Sequence, residues 1–378
     1  MVYAMLSIGV LGFIVWSLLV ASPLFKQWLN KLAIGLNNLV LWDPFYRKNF
    51  HGYIKWAGNI FFYTKETNFR LKKDLLKYPQ RLYANNCYTD FYKAYNVFCN
   101  NKKNIINHPD EVWLRWLIGF IEGDGAILSN KESLSIVLTQ KDSNILYHIK
   151  DILGFGLVKQ FKGYSRLIIK NNFDIYLMIL LLNGNLVLEK RKKQLAIMID
   201  VFNRKKFKNV EWLSLRLSEK ISIISANSII TLNDSWLSGF TDAEGCFNVH
   251  IVKRKEMKTK YNVSLRFILD QKDEEMVLQN IRNLFGYGKV SLRKDRTKNT
   301  VYRYTTHSLT ASKIINDYFN MFPLKTTKKH SFDIWIDIYN MLINKKHLTL
   351  IGLNTIRSWR TKMNKFNIEN KSIGFKSL

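Results

Sequence analysis

The chain has 378 residues, enough for two or three domains, and its 58 Lys+Arg against 29 Asp+Glu give a net charge of +29. That excess is beyond what solubility needs and implies a polyanionic partner, nucleic acid first and an anionic membrane surface second. A hydrophobic content of 47% excludes a disordered basic tail. The scattered Cys87, Cys99 and Cys246 exclude a disulfide framework or zinc ribbon, the histidines form no HExxH pair, and no glycine-rich loop ending in GKS or GKT is present to cradle ATP.

Residues 1–25, MVYAMLSIGVLGFIVWSLLVASPLF, contain no charge; Lys26 is the first. That length suits a membrane-spanning helix, and Lys26 and Lys31 just beyond it favour holding that end inside. A signal peptide fits less well, because no basic stretch precedes the apolar run. The opening MVYAMLSIGVLGFIVW resembles a stretch of cytochrome c oxidase subunit 1, the mitochondrially encoded membrane subunit, and the resemblance stops at Ser17. A reading frame that runs from an exon into an intron stops in this way, so the segment is read as exon-like sequence in preference to a purposeful anchor. Residues 26–110 hold aromatic clusters such as GYIKWAGNIFFY and basic runs such as RLKKDLLKYPQR, with no clean period. They are read as a linker with some helix.

From Trp113 onward the chain repeats itself. WLIGFIEGDG at 116 returns as WLSGFTDAEG at 236, LSIVLTQKD at 134 as LRFILDQKD at 265, LGFG at 153 as FGYG at 285, and RKKQLAIMIDVFN at 191 as KKHSFDIWIDIYN at 328. The order is kept while the offset grows, so longer loops are expected in the second copy. Each decapeptide reads as an apolar helix, followed by alternating stretches that read as a strand hairpin. Then SNILYHIKDILGFG places Ile145, Ile149, Ile152 and Leu153 on one helical face, with Gly154 as its stop. A second strand pair and one closing helix complete each copy. The expected fold is α+β, two tandem pseudo-twofold αββαββα repeats over 111–225 and 226–378, with two antiparallel sheets.

Small residues four apart, Gly119 with Gly123 and Gly239 with Ala243, allow the two decapeptide helices to approach closely and form the interface between copies. Asp124 and Glu244 each precede a glycine that can cap the helix in a left-handed conformation. Both carboxylates then sit at helix C-termini, where partial negative charge disfavours them, and they repel each other. Something positive must offset this. Oxygen ligands without His or Cys suit a hard divalent cation such as Mg²⁺, and that combination beside a basic surface is the chemistry of phosphodiester hydrolysis.

These decapeptides resemble the signature of the LAGLIDADG homing endonucleases and the related intron maturases, as LIGFIEGDG from Leu117 and LSGFTDAEG from Leu237, over roughly residues 110–365. Ile118 and Ser238 replace the signature's second-position alanine, Glu122 holds its sixth-position acid, and no change removes a catalytic oxygen. The resemblance implies that Asp124 and Glu244 bind metal, together with the carbonyls of Gly123 and Ala243, and that Gln140 and Gln271 help position water and metal. One residue from each matching pair, Arg191–Lys192 and Lys328–Lys329, would face the scissile phosphate; the sequence leaves open which. Basic residues on the strands supply the expected DNA surface, a saddle whose β-ribbons fit the major groove. They are Lys141, Lys159, Lys162, Arg166 and Lys170 in the first copy, and Lys253, Arg254, Lys255, Lys258, Arg266, Lys272, Arg293, Lys294, Arg296 and Arg303 in the second. The expected protein is a monomeric mitochondrial enzyme that uses Mg²⁺ or Mn²⁺ to cut a long, asymmetric double-stranded DNA site. A maturase that holds its host intron RNA is the alternative.

Overall fold

The two decapeptides form a pair of helices at the centre of the fold, and everything else is placed relative to them. The structure is a computed structural model that describes residues 88–101, 108–130, 133–205, 220–225, 228–294 and 300–363. The apolar run 1–25, most of the 26–110 linker and Arg296 lie outside the described residues. Among the described residues no helix is long and apolar enough to cross a membrane.

In chain order the elements are α1 (Thr89–Asn101), α2 (Glu111–Asp124), β1 (Gly125–Ser129), β2 (Leu134–Gln140), α3 (Ser143–Leu153), β3 (Leu157–Phe161), β4 (Tyr164–Ile169), α4 (Asn172–Leu182) and α5 (Glu189–Arg204). The second copy follows with α6 (Trp236–Glu244), β5 (Gly245–Lys253), β6 (Tyr261–Lys272), α7 (Glu275–Phe285), β7 (Lys289–Lys294), β8 (Thr300–Thr306), α8 (Leu309–Met321), α9 (Lys328–Ile343) and α10 (Leu350–Lys362).

α2 starts where the Asp110 carboxylate accepts from Trp113 N at 2.6 Å, and α6 where Asp234 accepts from Trp236 N at 2.9 Å. Such caps satisfy N–H groups that have no partner inside the helix. Both helices are apolar on nearly every face because both are enclosed: Trp116, Leu117, Phe120, Trp236, Leu237 and Phe240 are fully buried. The copies match in detail. Trp116 stacks on Phe120 with centroids 5.1 Å apart, and Trp236 on Phe240 at 4.8 Å. A methyl group added at Gly119 would overlap the Trp236 carbonyl and come within 2.9 Å of Phe240 N. One added at Gly239 would overlap the Trp116 carbonyl and come within 2.9 Å of Phe120 N. Glycine is therefore required at the crossing to let the backbones touch.

Each copy forms a four-stranded antiparallel sheet, in the orders β1-β2-β4-β3 and β5-β6-β8-β7. In β6 the residues Val263, Leu265, Phe267 and Leu269 are buried on the helices, while Ser264, Arg266, Ile268 and Asp270 alternate onto the open face. The fold is thus the expected α+β pair of repeats. α3 and α7 end on Gly154 and Gly286, both left-handed with φ of 73° and 69°.

Four details differ from the sequence reading. Gly125 and Gly245 are extended, with φ of −82° and −75°, because α2 and α6 pass directly into β1 and β5 without a left-handed cap. Glycine is needed at 125 for space: a Cβ there would meet Ile121 Cγ2 at 2.9 Å. The growth of the second copy goes largely into strands, with β5 of 9 residues against 5 in β1, and β6 of 12 against 7 in β2. The first copy closes on two helices, α4–α5, and the second on three, α8–α10, where one was expected in each. In the first copy the added helix is NFDIYLMILLL, apolar on all sides, so it shows no amphipathic period to detect. Lastly, the end of the linker is part of the first repeat's core. Phe91 and Tyr95 of α1 are fully buried, and the Tyr95 hydroxyl donates to the carbonyls of Ile152 and Leu153 at 3.0 and 3.1 Å.

Candidate active site

Asp124 and Glu244 end the two central helices, so the close crossing at Gly119 and Gly239 brings them together. A Cβ at Gly123 would lie 3.1 Å from Glu244 Cγ. Burial raises both carboxyls above their ordinary range. The neighbouring Asp124 charge raises Glu244 further, while Lys328, Arg191 and the two glutamines pull the pair back down. Gln140 Nε2 donates to Asp124 Oδ2, and Gln271 hydrogen-bonds Glu244 in the same way.

The ambiguous basic pairs separate cleanly. Arg191 is buried; its Nη2 donates to the Gly123 carbonyl at 3.1 Å and its Nε to the Glu122 carbonyl at 3.0 Å. Lys328 is its counterpart, donating from Nζ to the carbonyls of Thr241 and Ala243, both at 3.0 Å. Lys192 and Lys329 point elsewhere and pair with acids on their own helices, Glu189 at 2.7 Å and Asp333 at 2.8 Å. The structure therefore gathers Asp124, Glu244, Gln140, Gln271, Arg191, Lys328 and the carbonyls of Gly123 and Ala243, and leaves Lys192 and Lys329 outside.

This donor set suits a divalent cation. Two carboxylates, both destabilised by burial and one also by the other's charge, sit beside two backbone carbonyls whose partners are cationic side chains. Among the described residues no group of three or more His, Cys, Asp or Glu could hold a metal ion. An ion here would draw two carboxylates from the protein and complete its shell with carbonyls, water or phosphate oxygens, as Mg²⁺ commonly does.

Two further acids hold the arrangement together. Glu122 is 1% exposed; its Oε1 accepts from Val187 N at 2.8 Å and Leu188 N at 2.6 Å, and its Oε2 from Trp236 Nε1 at 2.6 Å. Asp242 mirrors it, accepting from Trp116 Nε1 at 2.9 Å, Lys325 N at 2.7 Å and Thr326 Oγ1 at 2.6 Å. Each carboxylate ties its own copy's α5 or α9 start to the other copy's tryptophan, which fixes the helix that delivers Arg191 or Lys328. A role for Glu122 and Asp242 escaped the sequence reading. The available signal was an acid aligned in both copies of an otherwise apolar helix. The copies are not equivalent throughout: Glu274 of the second accepts from Lys190 N of the first at 3.0 Å. It lines a cavity of about 250 Å³ with Glu122, Arg191, Glu244, Asp270 and Gln271.

Burial pushes Glu122 from 4.5 up to about 7, against the pull of the Leu188, Trp236 and Val187 donors and of Arg115. A raised folded value means that the folded chain holds this proton more tightly than the unfolded chain. Its contribution to stability is complete below pH 4.5 and is lost as pH rises through about 7. Between pH 5 and 8 the wild type should lose about 2.5 kcal/mol more unfolding free energy than Glu122→Gln, as read by urea denaturation at both pH values.

The basic strand residues sit as follows. Lys159 and Arg166 are cross-strand partners on the open face of the first sheet. Arg166 lies over the rings of Phe161 and Tyr164, at 5.5 and 5.1 Å. Lys141, Lys162 and Lys170 are exposed at strand ends and turns. In the second sheet Lys253, Arg254, Lys255 and Lys258 are exposed at the tip of the β5–β6 hairpin. Arg266, Lys272, Arg293 and Arg303 lie on the open face by register, and Lys294 ends β7. Three of these arginines have protein partners: Arg266 bonds His250 Nδ1 at 2.6 Å, while Arg293 and Arg303 pair with Asp270 at 3.3 and 2.6 Å.

Residues 237–339 match the protein-family model described as LAGLIDADG endonuclease. The chain is 36% identical over 264 residues to a probable intron-encoded endonuclease 4 of Neurospora crassa, covering 68% of this chain and 45% of that protein. It is 32% identical over 250 residues to an uncharacterized cox1 intron-2 37.2 kDa protein of Schizosaccharomyces pombe, covering 66% of this chain and 72% of that protein. The chain thus spans less than half the length of the Neurospora relative. Among solved structures, the LAGLIDADG meganuclease I-AabMI bound to uncleaved DNA aligns with a TM-score of 0.53 and 25% identity, over 67% of this chain and 99% of that one.

Proposed function

Because this chain belongs to the LAGLIDADG endonuclease family, we propose that it is an intron-encoded, site-specific endonuclease that hydrolyses one phosphodiester bond in each strand of double-stranded DNA. The observation that carries the reading is the pairing of Asp124 and Glu244 at the crossing of two matched helices, each with its own glutamine and cation. A binding protein has no need of two half-buried, mutually repelling carboxylates. Divalent-metal dependence goes with the family, and Mg²⁺ is the ion proposed here, with Mn²⁺ able to substitute. Asp124 and Glu244 would hold it together with the carbonyls of Gly123 and Ala243; when bound it neutralises charge on the phosphate and lowers the pKa of its water.

The chain's own residues do the rest. Gln140 and Gln271 orient the attacking water while fixing the carboxylates. Arg191 and Lys328 direct positive charge at the scissile phosphates, where negative charge builds in the transition state. The two open sheet faces carry the duplex, and their different residues imply an asymmetric site bound by one monomer. The two relatives reported above are named for introns, one of them a cox1 intron, and this supports a mitochondrial setting.

The test incubates the full chain with Mg²⁺ and a plasmid carrying the intronless oxidase-subunit gene across the codons just after GFIVW. One double-strand cut near that junction, abolished by EDTA, supports the reading. No cut, with tight binding to the host intron RNA, turns it to the maturase. The separation of the basic pairs adds a sharper expectation. Arg191→Ala and Lys328→Ala should each lower single-turnover cleavage about 100-fold, the cost of removing one preorganised donor. Lys192→Ala and Lys329→Ala should leave it unchanged.

A further inference from the structure

Asp270 is a carboxylate on the open face that also carries Arg266, Lys272, Arg293 and Arg303. It sits on β6 directly before Gln271, and its cross-strand partner is Arg303 of β8. The pair is bidentate: Arg303 Nε donates to Oδ1 and Nη2 to Oδ2, both at 2.6 Å. Arg293 adds a longer bond from Nη1 to Oδ2 at 3.3 Å. About a third of each partner's side chain remains exposed, 32% for Arg303 and 29% for Asp270. Among the described residues, no protein group takes up Nη1 of Arg303 or the outer N–H of its Nη2. The first copy is built differently, since Thr139 stands opposite Arg166 and the aromatic rings carry the guanidinium.

This arrangement is poor for a phosphate and good for a base. The carboxylate cancels most of the field of Arg303 and would itself repel a phosphate. An ion pair releases few counterions when DNA binds, so it contributes little to salt-dependent affinity. What the carboxylate adds is rigidity. It holds the planar fork in one orientation, so little side-chain entropy is lost when the free edge is used. That edge presents two N–H groups side by side. In the major groove the base that offers two adjacent acceptors, N7 and O6, is guanine.

Resting on the reading of the chain as a DNA endonuclease, we propose that Arg303, oriented by Asp270, reads one guanine of the target duplex within the half bound by the second repeat. The place is close to the chemistry, because Asp270 and Gln271 line the same cavity as Glu244 and Arg191. Asp270 is the positioning residue and does not touch the base.

The experiment selects bound duplexes from a fully randomised library with the full chain in EDTA, so that cleavage plays no part, and sequences the pools of wild type, Asp270→Asn and Arg303→Lys. The wild-type pool should contain a guanine at one position that both variants lose, by about 5- to 100-fold in preference, with all other positions unchanged. The salt dependence of binding to the selected duplex should keep its slope in Arg303→Ala, whereas loss of a phosphate contact lowers it by about one. Identical base preferences in all pools, or a slope that falls by about one, overturns the proposal while leaving the endonuclease reading intact. A wild-type pool with no preferred sequence removes both. Asp270→Asn and Arg303→Lys alter partly exposed groups on an open sheet face, and an unchanged melting temperature in either establishes that specificity was measured on folded protein.

Discussion

Asp124→Asn and Glu244→Gln should each abolish double-strand cleavage while leaving duplex binding within about twofold of wild type. The expected loss in rate is about three orders of magnitude, since several kcal/mol of charge stabilisation depends on each carboxylate. The melting temperature should not fall in either variant. Both carboxyls are raised by burial, and Asp124 adds further repulsion on Glu244, so the charge is a cost to the fold that the neutral amide removes. Loss of function without loss of stability is the signature of a group kept for chemistry. The measurement is a strand-resolved cleavage assay beside a binding titration and a thermal melt. A variant that cuts normally removes the assignment of that carboxylate, and one that fails to bind DNA places it in the fold instead.

The second large effect is Gly239→Ala. The added methyl has no room, because it overlaps the Trp116 carbonyl with Phe120 N 2.9 Å away, and both atoms belong to helix backbone that cannot rotate aside. The helices must move apart. That disturbs the Glu122–Trp236 and Asp242–Trp116 bonds and separates Asp124 from Glu244. Destabilisation of at least about 3 kcal/mol is expected, the upper end for overpacking, together with loss of cleavage. Gly286→Ala is the control. Gly286 has φ of 69° with nothing within 4 Å of the added Cβ, so only the left-handed backbone penalty of about 1 kcal/mol applies. Equal effects in the two variants, compared by urea denaturation, would show that the crossing is more compliant than its geometry implies.

Much of this protein is legible in its sequence. The repeated decapeptide identifies the two central helices, their small residues identify the contact, and the acids in the eighth signature position identify the centre. A repeat exposes these features because whatever the two copies share is visible without any structure. The same comparison aligned Arg191–Lys192 with Lys328–Lys329 but could not divide them. Adjacent residues on a helix point about 100° apart, and which of them faces inward depends on how the helix is rotated against its neighbours. Glu122 and Asp242 set that rotation by bonding across to the opposite copy's tryptophan, a contact between residues 114 and 126 positions apart.

The charge on the open sheet faces divides in the same way. Composition and alternation established that the strands carry many cations. Only cross-strand register placed Asp270 beside Arg303 and Arg293, and His250 near Arg266. A carboxylate on β6 meets an arginine on β8 through pairing of distant strands, and periodicity along one strand holds no record of its neighbour. The sequence by itself determined the repeat, the helix crossing and the pair of acids, because each is a local pattern written twice. Tertiary structure alone decided which cations lie against the paired acids and which are neutralised, because those properties belong to contacts between elements and to no single element.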